Sequence, residues 1–214
     1  MQIPKYFAHR GIISQENTIS GFERALELGA PGIELDVHFY HDRLKVTHYK
    51  SLLGRKSVPY FEEVLDAILE KCKELKRKKP ILNIDLKGRG TGKIAVKQIK
   101  GKWDIDEVIL TSFMVLTGDS RVRYQELVNT RDYSKDVPIG IIGYANDIKR
   151  YLHFIRELKA CALITKYSNT YTKEFVDTVH KHNLYAIPWN VNDKNYEEVV
   201  KTGVDGVIKD VHDQ

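Results

Sequence analysis

The sequence predicts a single α/β domain, residues 1–214, folded as a (β/α)8 TIM barrel. Three observations support this prediction. Eight short apolar runs alternate with amphipathic segments along the chain, and the runs lack the strict in-and-out alternation of half-exposed strands. No linker-like or low-complexity stretch divides the chain. An open, doubly wound sheet is the alternative, because alternation alone does not show whether the sheet closes.

The predicted strands are short and rich in β-branched and aliphatic residues, as expected when both faces of a parallel sheet are covered. They span residues 5–9, 32–39, 81–86, 108–111, 138–142, 162–166, 185–189 and 206–208. The predicted helices lie between them, at residues 18–28, 60–76, 93–100, 117–129, 146–158, 172–182 and 193–201.

Several predicted helices carry residues that favour a helix start or end. Thr18, Thr172 and Asp193 stand where an N-cap is expected, because their side-chain oxygens can accept from free N–H groups of the first turn. Gly29 and Gly203 follow their helices where a left-handed residue ends the last turn.

The composition favours a protein without a membrane span. The chain is 42% hydrophobic and has no apolar run near 18 residues. Its first residues lack the apolar core of a signal peptide. Cys72 and Cys161 are too few and too far apart for a disulfide framework or a CxxC metal site. We therefore expect a reducing, cytoplasmic location.

The formal net charge of +5 raises the question of a nucleic-acid partner. Much of the excess lies in KCKELKRKK at residues 71–79, with Glu62 and Glu63 at the other end of the same predicted helix. Acids first and bases last suit the helix macrodipole, so we interpret the run as a solvated helix end. A phosphate-binding or membrane-surface patch is the alternative. No aromatic residues interleave with the lysines, and we predict no nucleic-acid partner.

Polar residues cluster at the predicted strand ends. Ligand sites of α/β folds form at the carboxyl ends of parallel strands, so these residues are candidates for one site. They are His9, Arg10, Glu34, Asp36, His38, Asp85, Lys87, Ser112, Lys166, Trp189 and Asn190.

The sequence IELDV at residues 33–37 places Glu34 and Asp36 on one face of a strand, ~7 Å apart along the chain. Two carboxylates facing one barrel interior would raise each other's pKa, and a hard divalent cation would relieve that repulsion. Asp85, on the next strand, offers a third oxygen ligand. These three residues predict a Mg²⁺ or Ca²⁺ site. The alternative is a structural ion pair with Arg10 or Lys87.

His9 and His48 offer two imidazoles that titrate near neutral pH, which suits proton transfer at both ends of a displacement. His48 belongs to an extended stretch that follows the second strand. His38 shares the face of Glu34 and Asp36, and is a weaker candidate for the same site. We expect the remaining histidines to lie on the surface: His41, His153, His180, His182 and His212.

Taken in order, these motifs resemble the glycerophosphodiester phosphodiesterase family. The matching pieces are HRG at 9–11, ENT at 16–18, GIELDV at 32–37, V-x-H at 46–48, L-x-R at 53–55, P-x-x-EEVL at 59–65, NIDLK at 83–87, SF at 112–113, W-x-VN at 189–192 and GVDGVIKD at 203–210. HRG alone is a weak signal, whereas HRG, ENT, ELDV and a later histidine in this order form a specific one.

The resemblance implies a TIM barrel that hydrolyses a small-molecule glycerophosphodiester to a phosphomonoester and an alcohol, with a divalent cation as cofactor. It implies acid–base catalysis by His9 and His48, substrate contacts by Arg10, Asn17, Lys87 and Trp189, and metal ligation by Glu34, Asp36 and Asp85.

Three departures from the family pattern affect this expectation. The family usually has Glu where Asp85 stands, and Asp where Tyr49 follows His48. The first departure would shorten one metal ligand, and the second would remove a residue that orients His48. The family's inserted subdomain is also lacking, since only residues 56–58 separate Arg55 from Pro59. That loss would reduce the walls that hold the alcohol.

Other functions remain open at this point. A non-catalytic barrel that binds phosphoesters or lipid headgroups is one, and cleavage through a cyclic phosphate, as in a lyase, is another. A third is an unrelated barrel enzyme that holds phosphate with GVDGVIKD, a segment that we interpret as packing at the barrel closure. The sequence does not decide the alcohol or the oligomeric state.

Overall fold

The computed structural model describes residues 1–114 and 120–213. Its strands are β1 (Tyr6–Ala8), β2 (Gly32–Tyr40), β3 (Arg43–Val46), β4 (Ile81–Leu86), β5 (Val108–Phe113), β6 (Ile139–Gly143), β7 (Ala162–Lys166), β8 (Tyr185–Trp189) and β9 (Val207–Lys209). Its helices are α1 (Ile19–Glu27), α2 (Phe61–Glu74), α3 (Thr91–Ile99), α4 (Ser120–Tyr133), α5 (Leu152–Leu158), α6 (Lys173–Lys181) and α7 (Tyr196–Lys201).

Eight strands form a nearly closed parallel barrel. Their order is β9-β1-β2-β4-β5-β6-β7-β8, and every neighbouring pair in it is parallel. A bridge between Val191, just after β8, and Lys209 in β9 joins the two ends of the sheet. The predicted (β/α)8 barrel is confirmed, and the open-sheet alternative is wrong because the first and last strands of the order meet.

Two predicted elements differ from the structure. The stretch before His48 forms β3, an antiparallel hairpin with β2, where the sequence indicated only an extended segment. The predicted helix at 146–158 is divided into a 3-10 turn at Ile148–Arg150 and α5. The Asp147 side chain accepts from the Lys149 N–H at 3.1 Å, which starts a separate turn. Of the predicted helix at 117–129, residues 117–119 lie outside the described residues.

The predicted caps at Thr18 and Thr172 are confirmed. Thr18 Oγ1 accepts from the N–H of Gly21 at 3.0 Å, and Thr172 Oγ1 accepts from the N–H of Phe175 at 3.3 Å. These bonds satisfy N–H groups that the first helical turn leaves free, so α1 and α6 begin where the sequence places their starts.

The predicted cap at Asp193 is wrong. Helix α7 begins later, at Tyr196, because Asn192 accepts from the N–H groups of Lys194 and Asn195 and forms a turn first. The Asp193 carboxylate instead pairs with Lys209 Nζ at 2.5 Å.

The barrel interior and the layer under the helices are two separate apolar groups. The interior group consists of Phe7, Ile109, Ile142, Ala162, Ile164, Ile187 and Ile208. A larger group packs α1 to α6 against the outer face of the sheet. Apolar side chains therefore fill most of the barrel interior, whereas the charged residues of β1, β2 and β4 lie at or near the carboxyl ends of those strands.

Parts of the basic run at 71–79 have structural contacts. The Arg77 guanidinium donates to the carbonyls of Leu26 and Ala30, at the end of α1, and Lys79 pairs with Glu107. These contacts support the interpretation of the run as a helix end that also ties neighbouring elements together. In the described part of the chain, none of the helices combines the length and the apolar character that a membrane crossing requires.

Candidate active site

A pocket with about 170 Å³ of space open to water-sized molecules lies at the carboxyl ends of the barrel strands. One half of its wall is charged and the other half is apolar. The charged half consists of His9, Arg10, Glu34, Asp36, His48, Asp85 and Lys87. The apolar half consists of Phe113, Ile142, Tyr144, Trp189 and Ile208. Eight of the nine residues predicted for the site thus line a single pocket; Asn17 lies just behind it.

The turn after β1 brings its backbone to the site. Arg10 has a left-handed backbone (φ 54°), which is uncommon for a residue with a side chain, and Gly11 follows with φ 87°. A Cβ on Gly11 would lie 2.8 Å from the backbone of Gly21, so the turn packs against α1 only with glycine there. In this conformation the Arg10 N–H donates to Glu34 at 3.0 Å.

The three carboxylates are buried together by the strand register. Asp36 and Asp85 are partners in the parallel ladder of β2 and β4, and Glu34 lies two residues earlier on the same face. One oxygen from each carboxyl group lies within 4.8 Å of the others. Their exposed fractions are 5% for Glu34, 1% for Asp36 and 2% for Asp85.

Two permanent cations lie against these carboxylates. Lys87 Nζ is 2.7 Å from Asp36 Oδ1 and 2.5 Å from Asp85 Oδ2. Arg10 Nε is 3.0 Å from Asp36 Oδ2, and Arg10 Nη1 donates to Glu16. Burial favours the neutral forms, but these pairs outweigh it, holding the pKa of Asp36 well below its usual range and raising that of Lys87. The ion pairs considered as an alternative are present beside the carboxylate group.

Glu34 has the least favourable electrostatic surroundings of the three carboxylates. Burial, and then the charge of Asp36, raises its pKa to about 7. Three carboxylates face two permanent cations in this part of the described structure, which leaves one negative charge without a counterion. Asp85 Oδ1 is also buried without a hydrogen-bond partner in the described chain. An all-oxygen donor set with surplus negative charge and a free oxygen fits a divalent cation.

His9 is held by a residue that the sequence analysis did not single out. Its Nδ1 lies 2.7 Å from Oδ1 of Asp210, which directly follows β9. Burial lowers the pKa of His9, but the bond to Asp210 and the charge of Glu34 outweigh it, and the pKa is raised. Asp210 ends the segment GVDGVIKD, and applying the strand-end rule to the last strand would have found it.

His48 has its own partners in the site. Its Nδ1 is 2.9 Å from Nη2 of Arg10 and 3.4 Å from Asp36 Oδ2. Because a guanidinium only donates, Nδ1 accepts from it and the neutral ring carries its proton on Nε2. Tyr49, where the family has an acid, packs edge-on against the His48 ring at 4.9 Å. Arg10 therefore positions this ring despite the departure at Tyr49.

His38 and Asn17 support the site from behind. His38 Nε2 lies 3.3 Å from the carbonyl of His48, outside the pocket lining. The Asn17 side chain donates to Asp36 Oδ2 at 2.9 Å and accepts from the Asp36 N–H at 3.2 Å. Its contacts are thus with a candidate metal ligand. The five histidines expected at the surface are all exposed.

The apolar half of the pocket contains three aromatic rings in mutual contact. The ring centroids are 5.2 Å apart for Phe113 and Tyr144, 5.3 Å for Phe113 and Trp189, and 5.5 Å for Tyr144 and Trp189. The indole N–H of Trp189 donates to the Gly143 carbonyl at 3.3 Å. Sequence reasoning found Trp189 but not Tyr144, because Tyr144 joins the wall only through the spatial order of β5, β6 and β8.

Comparison with known proteins finds one family model and several named relatives that match most of this chain. Residues 38–214 match the model of the glycerophosphoryl diester phosphodiesterase family. A glycerophosphodiester phosphodiesterase of Caldanaerobacter subterraneus subsp. tengcongensis is 29% identical over 95% of this chain and 92% of its own. One from Bacillus altitudinis is 29% identical over 98% and 96%. Both alignments include most of residues 1–37, which precede the family match.

A solved structure shows the same fold. An Oleispira antarctica phosphodiesterase, in complex with the product sn-glycerol-3-phosphate, superposes with a TM-score of 0.74. The superposition covers 97% of this chain and 93% of that protein at 17% identity. This similarity is evidence for the barrel fold of the chain. The bound product is a property of the Oleispira antarctica enzyme.

Proposed function

The chain belongs to the glycerophosphoryl diester phosphodiesterase family, and we propose that it hydrolyses a glycerophosphodiester to a phosphomonoester and an alcohol with the help of a divalent cation. The observation that carries the proposal is one pocket that holds three buried carboxylates, two permanent cations and two imidazoles. The names of its relatives support a phosphoric diester hydrolase over a barrel that only binds.

Glu34, Asp36 and Asp85 would hold the cation. When bound, it supplies positive charge that offsets the negative charge developing on the phosphate oxygens. Its charge would also favour the ionised form of Glu34, whose pKa is raised by burial and by Asp36.

Arg10 and Lys87 bind and orient the phosphate group. Both cations line the pocket, and both are fixed by pairs with Asp36. Preorganised cations of this kind act most strongly where charge grows in the transition state and water is scarce. They hold the phosphate group in place while phosphorus gains a bond to the water oxygen and loses its bond to the alcohol oxygen.

His9 and His48 move the protons. One imidazole takes a proton from the attacking water as its oxygen bonds to phosphorus. The other gives a proton to the alcohol oxygen as its bond to phosphorus breaks. Asp210 and Arg10 fix the orientation of the two rings through their Nδ1 atoms. General acid–base help of this kind is worth roughly 10²–10⁴-fold in rate.

The proposal is tested with the full chain and glycerophosphocholine, glycerophosphoethanolamine and bis(p-nitrophenyl) phosphate. Each substrate is incubated with Mg²⁺, Ca²⁺ or Mn²⁺, and with EDTA as the control. We expect ³¹P NMR to show a phosphomonoester that forms with metal and not with EDTA. A cyclic phosphate would give its own resonance and would support the lyase-type route. No turnover of any substrate with any metal contradicts hydrolysis, and turnover that resists EDTA contradicts the metal requirement.

A further inference from the structure

We infer that His38 is a positioning residue for His48: the N–H of its imidazole holds the main-chain carbonyl of His48 and fixes where the His48 ring enters the pocket. The inference rests on the proposed function, in which His48 moves one of the two protons. His38 itself lies outside the pocket lining, so it acts through His48 and not on the substrate.

The hairpin of β2 and β3 places the two histidines. His38 is paired with Lys45 in this hairpin, and His48 lies two residues beyond the end of β3. The N–H of Thr47 donates to the carbonyl of Asp36 at 3.0 Å, which extends the hairpin by one more bond. Within the described chain the backbone pairing of the two strands stops there, so the position of His48 depends on other contacts.

The His38 ring supplies such a contact. Its Nε2 lies 3.3 Å from the carbonyl oxygen of His48, which accepts no backbone N–H of the described residues. A carbonyl oxygen only accepts, so Nε2 of His38 carries the proton and donates it. His38 is 9% exposed, so water competes little for this bond, and breaking the bond would leave a buried donor without a partner.

His48 is thus held at two points. Nη2 of Arg10 donates to Nδ1 of its ring at 2.9 Å, whereas His38 donates to its backbone. The bond to Arg10 fixes the direction of the ring, and the bond to His38 fixes the main chain from which the ring extends. A displacement of about 1 Å at a reacting group lowers rates by up to about 10²-fold, so proton transfer by His48 depends on both bonds.

Two other roles of His38 have to be separated from this one. His38 lies two residues after Asp36 on the same face of β2, so a substitution could act on that proposed metal ligand. A buried residue could also support the fold alone. A change at the metal site raises the metal concentration for half-maximal activity, and a weakened fold lowers the melting temperature. A displaced His48 lowers kcat without either effect.

The first test compares His38→Leu, which removes the donor, with His38→Gln, which keeps an N–H donor at a similar reach. With glycerophosphocholine and saturating metal, we expect His38→Leu to lower kcat by about 10–10²-fold. KM should change by less than about twofold, and His38→Gln should restore most of the rate. His153→Leu, at an exposed histidine on α5, is the control and should match the wild type. Equal rates of His38→Leu and the wild type, or equal losses in the leucine and glutamine variants, overturn the inference.

If His38→Leu does not fold, His38→Asn takes its place in every test, because its amide is too short to reach the carbonyl of His48.

The second test is a double-mutant cycle with His48→Ala. Once the His48 ring is absent, there is nothing left for His38 to position, so His38→Leu should change the residual kcat by less than about twofold. The metal concentration for half-maximal activity of the single variant should equal that of the wild type. A full loss of rate in the His48→Ala background, or a higher metal requirement in the single variant, overturns the inference while the proposed function stands.

The third test does not depend on turnover. NMR relaxation of the His48 ring Cε1–H is measured in the wild type, His38→Leu and His38→Gln, after melting curves show that each is folded. We expect larger ring motion in His38→Leu alone, and equal motion in all three proteins overturns the inference. If no metal supports cleavage of any substrate, the proposed function fails, and the relaxation data still decide whether His38 positions His48.

Discussion

Nδ1 of His9 lies 2.7 Å from Oδ1 of Asp210, although the two residues are 201 positions apart in the chain. The contact exists because β1 and β9 are neighbours at the barrel closure, with Ala8 paired to Lys209 in the ladder. A carboxylate bound to one ring nitrogen fixes which nitrogen faces the substrate and stabilises the protonated ring. The closure of the barrel therefore influences both the orientation and the protonation of His9, a proposed catalytic group.

Asp210→Asn should lower kcat/KM by about 10²-fold or more, because the ring loses its orienting charge. Without the Asp210 carboxylate, which raises the pKa of His9 against the effect of burial, that pKa falls. The limb of the pH–rate profile that reports His9 should therefore move to lower pH. Profiles of kcat/KM between pH 5 and 9 measure both effects. The control is Asp205→Asn, which changes the carboxylate that pairs with the exposed His180. Equal shifts in both variants would contradict the assignment.

His48→Ala should lower kcat by about 10²–10⁴-fold with little change in melting temperature, since one proton transfer loses its donor or acceptor. His48 is held by Arg10 on the pocket wall, so its removal leaves the core intact. Steady-state rates of the variant and of His180→Ala, a surface histidine, provide the comparison. A His48→Ala enzyme with near-normal turnover would remove this residue from the mechanism.

Glu34→Gln should mainly weaken metal binding, because the substitution keeps the side-chain length and removes one charge. The metal concentration for half-maximal activity should rise by about 10–100-fold or more. Loss of a residue that only hydrogen-bonds a metal ligand already weakens metal binding by that range. Titrations with Mg²⁺, Ca²⁺ and Mn²⁺ and calorimetry of the metal alone measure the effect. Glu62→Gln, at the partner of Arg43, is the control. Unchanged affinity in Glu34→Gln would place the cation elsewhere.

The stability of the EDTA-treated protein should depend on pH through Glu34. Its pKa is about 7 in the folded chain and 4.5 as the ordinary value, so the folded state holds the proton more tightly. The resulting stabilisation is present below pH 4.5 and is lost as the pH rises through 7. Melting temperatures from pH 5 to 8 should therefore fall more steeply for the wild type than for Glu34→Gln. The same slope in both proteins would show that Glu34 is ionised throughout this range.

Glu126→Ala should destabilise the fold by about 2–4 kcal/mol, because two backbone donors lose their acceptor. The Glu126 carboxylate, 2% exposed on α4, accepts from the N–H groups of Gly90 and Gly92 at the start of α3, at 2.7 Å each. Urea unfolding measures the difference. Gln125→Ala, at an exposed neighbour on the same helix, should change stability far less. Similar values for the two variants would mean that water replaces the lost acceptor.

The strand ends show how far sequence reasoning reaches. His9, Arg10, Glu34, Asp36, Asp85 and Lys87 were identified as neighbours in one site, and all six line the same pocket. That prediction works because the carboxyl ends of parallel strands meet at one face whatever the details of packing. The hairpin strand β3 was predicted only as an extended stretch. Its four residues, RLKV, alternate polar and apolar side chains, but so short a run does not distinguish a strand from an extended loop.

Local physical chemistry thus determined the order of strands and helices, the positions of two helix caps and the set of polar residues at the strand ends. Only the tertiary structure decided the bond between His9 and Asp210, the raised pKa of Glu34, and the aromatic contacts of Tyr144. The reason is physical. A period or a cap depends on neighbours in the chain, whereas ion pairs, burial and ring contacts depend on which distant strands become adjacent when the barrel closes.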